Sequence, residues 1–153
     1  MRVIFLALFL AGLAPIDLPA GASRPQITFR VHLQRAESSG SDSQIISIAL
    51  TRPDQVIQVG RYAELGENQV ASVMPTPDGG MMVLFNGTGT KLLETITSSN
   101  QGRIMVVLLN GRVVYAPLID MPLRSGRLLL PGPLDPAEVA ALQQLIEKRD
   151  KKG

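Results

Sequence analysis

The 153-residue chain contains no cysteine and no tryptophan, and it has a single histidine, His32. Without cysteine it forms no disulfide and carries no lipid on a processed cysteine. One histidine and no thiol supply too few ligands for a tetrahedral zinc site, and the dispersed acidic residues form no calcium-loop pattern. We therefore predict no metal site and no cofactor.

The same scarcity argues against an enzyme. Catalysis by Ser, His and Asp would have to use His32, and the chain has no G-x-S-x-G elbow. Residues 86–91, Asn-Gly-Thr-Gly-Thr-Lys, look like a phosphate-binding loop because they follow a strand pattern and precede a helical one. They lack the spacing of that loop and its Lys–Ser/Thr pair, so we interpret them as a strand-to-helix turn. No catalytic residue is predicted.

Charge of either sign is also modest. The formal net charge is +2 and most basic residues are scattered, which excludes the basic stripe typical of a nucleic-acid-binding protein. The exception is a basic C-terminal tail, residues 148–153, with Lys148, Arg149, Lys151 and Lys152. Cations suit the C-terminal end of a helix, which carries partial negative charge. Contact of this tail with anionic lipid is the alternative interpretation.

One long hydrophobic run is present, at the N-terminus. Arg2 precedes an apolar run over residues 3–13, and an A-x-A cleavage pattern ends at Ala22. A membrane anchor is the alternative, but a spanning helix needs about 20 apolar residues and Pro15 interrupts the run too early. We predict that residues 1–22 are a signal peptide, cleaved after Ala22, and that the product is periplasmic.

Residues 23–147 have the size of a single domain, and their first part has the patterns of β-strands. Residues 27–33 alternate apolar and polar side chains, which places Thr28, Arg30 and His32 on the outer face of a half-buried strand. Residues 36–44 are interpreted as an exposed loop, and residues 45–50 as a β-branched run of undecided type. Further strands are predicted at residues 56–59, 69–74 and 81–85, the last two paired across a turn at residues 75–80.

The strongest local signal is a hairpin. Asn110 and Gly111 separate two apolar runs, residues 104–109 and 113–116, as in a type I′ turn, in which both central residues have positive φ. Pro117 is expected to end the second strand, because it has no N–H for the ladder. Residues 128–130 are predicted to form a short third strand.

Both faces of this hairpin are apolar. Simple alternation puts Val114 and Ala116 on one face of its second strand, and Val113 and Tyr115 on the other. One face must meet the helices, so the other needs a cover. The candidates are a further element of the domain, a second copy of the chain, or a client polypeptide.

Two amphipathic helices complete the pattern. The first, over residues 88–98, places Leu92, Leu93 and Ile96 on one side. The second has Asp135 as N-cap, Pro136 in the first position and Glu138 as the partner in a capping box. Its apolar stripe consists of Val139, Leu142, Leu145 and Ile146. The order of elements predicts an α+β fold, an antiparallel β-sheet with both helices packed on one face in a two-layer sandwich.

Residues 86–142 resemble the head part of the first periplasmic domain of SecD, an accessory subunit of the bacterial Sec preprotein translocase. The matching residues are mostly turn glycines and core positions: Gly89, Leu93, Thr97, Asn100, Gly102, Asn110, Gly111, Ala116, Pro117, Leu123, Gly126, Gly132, Leu134 and Glu138. Leu93 and Leu134 stand where that family has phenylalanine. The family's membrane helices have no counterpart here. The resemblance therefore implies the fold and contact with exported polypeptide, but not energy transduction.

Two functions stay open at this point. One is a non-enzymatic binding module for exported polypeptides or an envelope protein, with self-association as a further option. The other is a small ligand-binding protein or hydrolase on the same fold. An open strand edge or shallow apolar groove would favour the first, and a deep pocket with convergent polar groups the second. Tyr115, Met121 and Arg124 are the predicted protein-binding residues, because their types are enriched at interfaces. For Tyr115, packing under the N-terminal segment is the alternative.

Overall fold

A computed structural model describes residues 26–36 and 44–152. The predicted signal peptide, its cleavage site and most of the predicted 36–44 loop lie outside these residues. The strands are β1 (Phe29–Leu33), β2 (Ile45–Thr51), β3 (Asp54–Gly60), β4 (Leu65–Gly66), β5 (Val70–Pro75), β6 (Met81–Phe85), β7 (Met105–Leu109), β8 (Arg112–Tyr115) and β9 (Arg127–Leu130). The helices are α1 (Gly87–Ser99) and α2 (Pro136–Asp150). The predicted α+β class is confirmed.

The described strands form three antiparallel sheets rather than one. Their orders are β4–β1–β7–β8, β5–β6–β9 and the β2–β3 hairpin. The predicted pairing of β5 with β6 is confirmed. The pairing of β9 with β6, which sets Leu129 opposite Met82, was not predicted. No turn signal joins these two strands, so only packing within the fold specifies their register.

The main core lies between one face of each larger sheet and the two helices. Strand β1 contributes Phe29 and Val31, helix α1 contributes Leu93, and helix α2 contributes Leu142. The other buried members include Leu65, Val70, Val83, Met105, Val107, Leu109, Leu128, Leu130, Val139 and Ile146. Both helices therefore bury their apolar faces in the same core.

The buried face of α1 differs from the predicted one. Leu92 is exposed, and Thr97 is fully buried instead, one turn after Leu93. The Thr97 hydroxyl donates to the Leu93 carbonyl at 2.7 Å and accepts from the Leu123 N–H at 2.9 Å. A buried hydroxyl with both bonds made is tolerated in a core, which polarity along the sequence does not reveal.

A second, smaller core lies on the opposite face of β1 and β7. The β2–β3 hairpin covers this face with Leu50, Ile57 and Val59, which pack against Ile104 and Val106. The apolar face that required a cover is thus covered by an element of the same domain.

This cover also reverses the prediction for the single histidine. His32 was expected on an outer face, but it is buried beneath the β2–β3 hairpin. Its Nδ1 lies 2.9 Å from the carbonyl oxygen of Gly60, at the end of β3. The prediction was wrong because alternation identifies two faces of a strand but not what covers each of them.

The β7–β8 hairpin has the predicted turn. Asn110 has φ 51° and Gly111 has φ 79°, both positive as type I′ requires. A register shift then places Tyr115 opposite Val107 and Val113 opposite Leu108. The extra residue of this bulge puts Tyr115 on the main-core face and Val113 on the other, so the prediction that they share a face was wrong.

Pro117 does not end the pairing with β7. The N–H of Met105 donates to the Pro117 carbonyl at 3.0 Å, and the N–H of Ile119 donates to Arg103 at 2.9 Å. Strand β8 itself ends at Tyr115, before Pro117, as predicted, but the Pro117 carbonyl, unlike its missing N–H, faces the neighbouring strand, so isolated hydrogen bonds continue past it. Residues 117–119 therefore continue this sheet edge beyond β8.

The helix termini follow the sequence with two exceptions. Asn86 caps α1 by accepting from the Gly89 N–H at 2.8 Å, which confirms the strand-to-helix turn. Asp135 caps α2, but Glu138 contacts Arg112 on β8 instead of forming a capping box. Helix α2 also continues to Asp150, beyond the predicted domain end at residue 147.

Candidate functional site

Two sheet edges border one groove. Strand β8 is the last strand of its sheet and β9 is the last strand of the other. A cavity of about 390 Å³, open to solvent, lies between them, lined by Tyr115 and residues 117–121 on one side and by Arg127, Leu128 and Leu129 on the other.

A second open cavity, of about 480 Å³, continues along β8. It lies between residues 112–116 and residues 131–135, and the turn of the β2–β3 hairpin closes one side. Tyr115 lines both cavities. We call the two cavities together the edge groove.

Large apolar side chains are exposed beside the edge groove. Leu118 is 60% exposed, Met121 58% and Leu129 52%. The apolar surface continues across the outer face of the β5–β6–β9 sheet, where Met74 pairs with Met82 and Met82 pairs with Leu129. Residues directly opposite on neighbouring strands share a face, so these three form a row that leads into the groove. We call Met74, Met82, Leu129, Leu118 and Met121 the apolar strip.

The structure brings two of the three predicted binding residues together. Tyr115 and Met121 line the same cavity of the edge groove. Tyr115 is also partly buried against the main core, so it is anchored as well as accessible. Arg124 is not among the groove-lining residues; its Nε lies 3.2 Å from Glu94 Oε1 on α1. The binding role of all three stays a prediction.

Sequence reasoning missed most of the apolar strip. Alternation within Leu128, Leu129 and Leu130 is a signal that the middle leucine points outward, as it does. The pairing of β6 with β9 is what aligns Leu129 with Met82 and Met74, and no local pattern indicates it. Leu118 follows Pro117, where the strand was expected to have ended.

The polar side chains at the groove wall bind one another. Arg112 on β8 forms an ion pair with Glu138 on α2, and Asn110 Nδ2 lies 3.4 Å from the same carboxylate. In the described residues, no buried side-chain nitrogen or oxygen lacks a hydrogen-bond partner. The groove therefore has no unpaired buried polar group to orient a small substrate.

One carboxylate fixes the far wall of the groove. Asp78, in the β5–β6 turn, accepts hydrogen bonds from the Thr76 hydroxyl and from the N–H groups of Gly80 and Gly132, both at 3.3 Å. These bonds, that from Thr76 foremost, lower the pKa of Asp78 below its ordinary value. They join the turn to residues 131–133, which follow β9.

Within residues 26–36 and 44–152, no group of three or more His, Asp or Glu side chains could hold a metal ion. No helix in that part of the chain is long and apolar enough to cross a membrane. The site that the described residues do present is an open, partly apolar groove between strand edges.

The family model of the SecDF P1 head subdomain matches residues 43–148. The chain belongs to this family. The match confirms the resemblance drawn over residues 86–142 and extends it upstream through the β2–β3 hairpin. The P1 head family match thus includes β8, β9 and all five residues of the apolar strip.

One relative of this P1 head domain is a subunit of a protein translocase. Protein translocase subunit SecD of Acidaminococcus fermentans is 34% identical over 62 residues, which are 40% of this chain and 15% of that relative. Because the chain spans 15% of its relative's length, the identity describes one part of a larger protein.

Two solved structures share the fold. One is a crystal structure of SecDF in a super-membrane-facing form, with a TM-score of 0.57 and 16% identity over 79% of this chain and 18% of that one. The other is a structure of SecDF described as a membrane component that enhances protein export. It has the same TM-score, identity and coverage of this chain, and 62% of that chain is covered.

Proposed function

We propose that this P1 head domain is a non-enzymatic periplasmic module that binds extended segments of exported polypeptides along the edge groove. The observation that supports the proposal most directly is the meeting of two open strand edges and a set of exposed apolar side chains at one place. Its membership of the SecDF P1 head family supports a link to protein translocation.

The strand edges provide recognition that does not depend on sequence. Among the described residues, β8 and β9 each have a strand on one side only, so main-chain N–H and C=O groups on the other side have no partner strand. An extended peptide can add to such an edge through main-chain hydrogen bonds. Exported polypeptides differ in sequence but share this backbone, so a strand edge suits them as a class.

The apolar strip would provide affinity for partners of different shapes, because its side chains are flexible. Three of the chain's six methionines, Met74, Met82 and Met121, belong to it. Methionine is unbranched and adapts to irregular partners, and it is common on surfaces that bind many sequences. A fixed pocket for one small molecule would need convergent polar groups, and the Arg112–Glu138 pair at the groove wall is internally neutralised.

The proposal is tested by titrating the full chain into an unfolded, fluorescently labelled model secretory polypeptide. The test variant is Leu118→Ser, Met121→Ser, Leu129→Ser. The matched control is Val56→Ser, Tyr62→Ser, Leu92→Ser, which also removes three exposed apolar side chains but away from the groove. We expect the test variant to bind at least about ten-fold more weakly, as in the loss of one interface hot spot, and the control to bind like the parent.

Equal binding by the test variant and the parent would exclude the edge groove as the contact site. Absence of binding by the parent would exclude the polypeptide-binding function itself. Melting curves of both variants show whether a loss of binding reflects a loss of fold. A second copy of the chain or an envelope protein on the same edge would appear as a concentration-dependent dimer or as a client-independent complex.

A further inference from the structure

The β5–β6–β9 sheet has two edges, and helix α2 occupies the one at β5. The carbonyl of Val73 accepts from Gln143 Nε2 at 3.0 Å. The carbonyl of Val70 accepts from the guanidinium of Arg149, a residue of the predicted basic tail, at 2.6 Å. Both donors belong to α2. Their side chains thus take up acceptors that a further strand would need, and covering an edge in this way protects it from pairing.

Strand β9, at the opposite edge, turns main-chain groups away from the sheet. The Phe85 N–H donates to the Gly126 carbonyl at 2.8 Å, and β6 and β9 then pair without a shift of register. In an antiparallel pair, alternate residues direct their main-chain groups towards the partner strand, and the residues between them direct theirs away. Arg127 and Leu129 therefore direct N–H and C=O away from β6. Among the described residues, no other hydrogen bond reaches these groups.

A proline limits the length of this open edge. The same alternation makes Pro131 the next residue after Leu129 in an outward position, and proline has no N–H to offer there. The open edge therefore consists of Arg127 and Leu129, with one N–H and one C=O each. Pro131 also shows that this edge tolerates proline where the missing N–H would point away from the partner strand.

The facing wall of the edge groove is a less regular edge than β9. Pro117 and Ile119 each bond to the neighbouring residues 103–105, so that of residues 117–119 only Leu118 turns its main-chain groups outwards. Strand β8, which precedes them, contains a register shift. A bulge of this kind interrupts the even spacing of N–H and C=O groups that a paired strand needs. Strand β9 is therefore the better template of the two.

A strand added to β9 would meet apolar surface on both of its faces. Its side chains would point alternately to the two faces of the sheet. A residue opposite Leu129 would extend the apolar strip on the outer face. The next residue would lie beside Leu128 on the inner face, at a cavity that the buried side chains of Met105 and Ile119 also line. Successive apolar residues in the added strand would therefore both be buried from water.

We propose that extended, proline-free apolar segments of exported polypeptides add to β9 as a fourth strand of the β5–β6–β9 sheet. This inference rests on the proposed function and adds the class of segment, namely apolar sequences that favour β-strands. An apolar helix uses its main-chain groups internally, and a proline-rich segment lacks donors for Arg127 and Leu129. A second folded copy fits less well, because residues 117–121 face β9 across the groove and would meet the rest of an incoming sheet.

The test separates main-chain pairing from side-chain contact. The probe is a fluorescently labelled peptide with a central run of valines, titrated with the full chain. A second peptide has the same valines N-methylated, which removes their N–H groups and keeps their side chains. On the protein, Leu129→Pro removes one outward N–H together with the side chain. Its matched control, Leu129→Ala, shortens the side chain and keeps the N–H.

We expect the parent to bind the N-methylated peptide at least about ten-fold more weakly than the unmodified one, because more than one main-chain hydrogen bond is lost. Leu129→Pro should bind the unmodified peptide up to about ten-fold more weakly than Leu129→Ala, since the two variants differ by one donor. A melting curve checks that Leu129→Pro folds. If it does not, the two peptides with the parent, and Arg127→Pro compared with Arg127→Ala, still decide.

Equal binding of the two peptides, or equal binding by Leu129→Pro and Leu129→Ala, would overturn strand addition at β9 and leave the edge groove as the contact site. A concentration-dependent dimer of the parent that Leu129→Pro abolishes would also overturn the proposal and assign β9 to a second copy. Failure of the proposed function has a different signature, because the parent would then bind neither the unmodified peptide nor an unfolded secretory polypeptide.

Discussion

Each of the two larger sheets has an apolar face turned away from the main core, and only one of these two faces is covered by another element. On the β4–β1–β7–β8 sheet, the β2–β3 hairpin buries Ile104 and Val106 in a second core. On the β5–β6–β9 sheet, Met74 and Leu129 stay about half exposed, at 50% and 52%. An apolar strand face in this domain is thus either covered from within or left on the surface beside an open groove.

The residue types on the two faces fit this difference. The covered face uses β-branched side chains, which have few rotamers and pack as a fixed surface. The open face uses methionine at Met74 and Met82, whose flexible thioether side chains adapt to changing neighbours. Side chains with few rotamers thus lie on the face that the β2–β3 hairpin always covers. Flexible side chains lie on the face where only a transient partner would bind.

The largest expected effect comes from placing a charge on each face in turn. Val106→Asp would bury a carboxylate in the second core, where even a pair with His32, the residue opposite, must lose its water, and we expect a loss of about 4 kcal/mol, enough to unfold many domains. Met74→Asp on the open face should cost less than about 1 kcal/mol, because Met74 is 50% exposed and water can reach the new charge. Urea denaturation measures both. Similar losses at the two positions would show that the faces do not differ.

A smaller effect is expected at the hairpin turn that forms one end of the edge groove. Gly111→Val forces a β-branched residue to φ 79° and should cost about 1–3 kcal/mol. An added side chain meets nothing within 4 Å there, so the cost is conformational rather than a clash. Gly87→Ala is the control, since that glycine also has open space around it and lies at the start of α1. An unchanged melting temperature for Gly111→Val would contradict the type I′ turn.

The third prediction separates the proposed contact residues. Tyr115→Ala should weaken binding of an unfolded secretory polypeptide by about 1–2 kcal/mol, as for an interface tyrosine that lines both cavities. Arg124→Ala should weaken binding less than Tyr115→Ala, because Arg124 faces Glu94 and does not line the groove. Fluorescence titration measures both after native melting is checked. The opposite ranking would move the contact site from the groove to the surface of α1.

The smallest expected effect is the pH dependence of the stability contributed by Asp78, in the wall of the edge groove. The folded-state pKa of Asp78 is lowered, so its ionised form stabilises the fold at neutral pH. That contribution is fully present above the ordinary pKa of 3.8 and is lost as the pH falls through the lower folded-state value. Asp78→Asn should therefore lower the melting temperature slightly at pH 7, and the difference from the parent should shrink below pH 3.8. A difference that grows with acidity would contradict this assignment.

Local sequence signals predicted turns and helix caps correctly. They did not predict features that depend on pairing between strands distant in the sequence. Asn110 and Gly111, Asn86 and Asp135 each act through their own backbone neighbours, and the structure has the turn and the caps that they indicate. The bulge that reorients Tyr115 arises from pairing with β7, and no residue type marks it.

The candidate site was accessible from sequence only in part. Tyr115 and Met121 were selected by residue type, and they do line one cavity. The edge groove itself requires β9 to pair with β6 while β8 pairs with β7, so that two sheet edges approach each other. The sequence does not indicate that these two edges lie close together, because contacts between distant segments leave no periodic pattern along the chain.

Helix α2 has a different neighbour at each of its ends. Its first turn, with Asp135 and Glu138, forms part of the groove wall, and in its last turn Arg149 donates to the carbonyls of Glu67 and Val70. Its 15 residues span about 22 Å at a rise of 1.5 Å each. Because Glu138 binds Arg112 of β8 and Arg149 binds the Val70 carbonyl of β5, the helix joins the two larger sheets at two separate points. The width of the edge groove therefore depends on contacts at both ends of one helix.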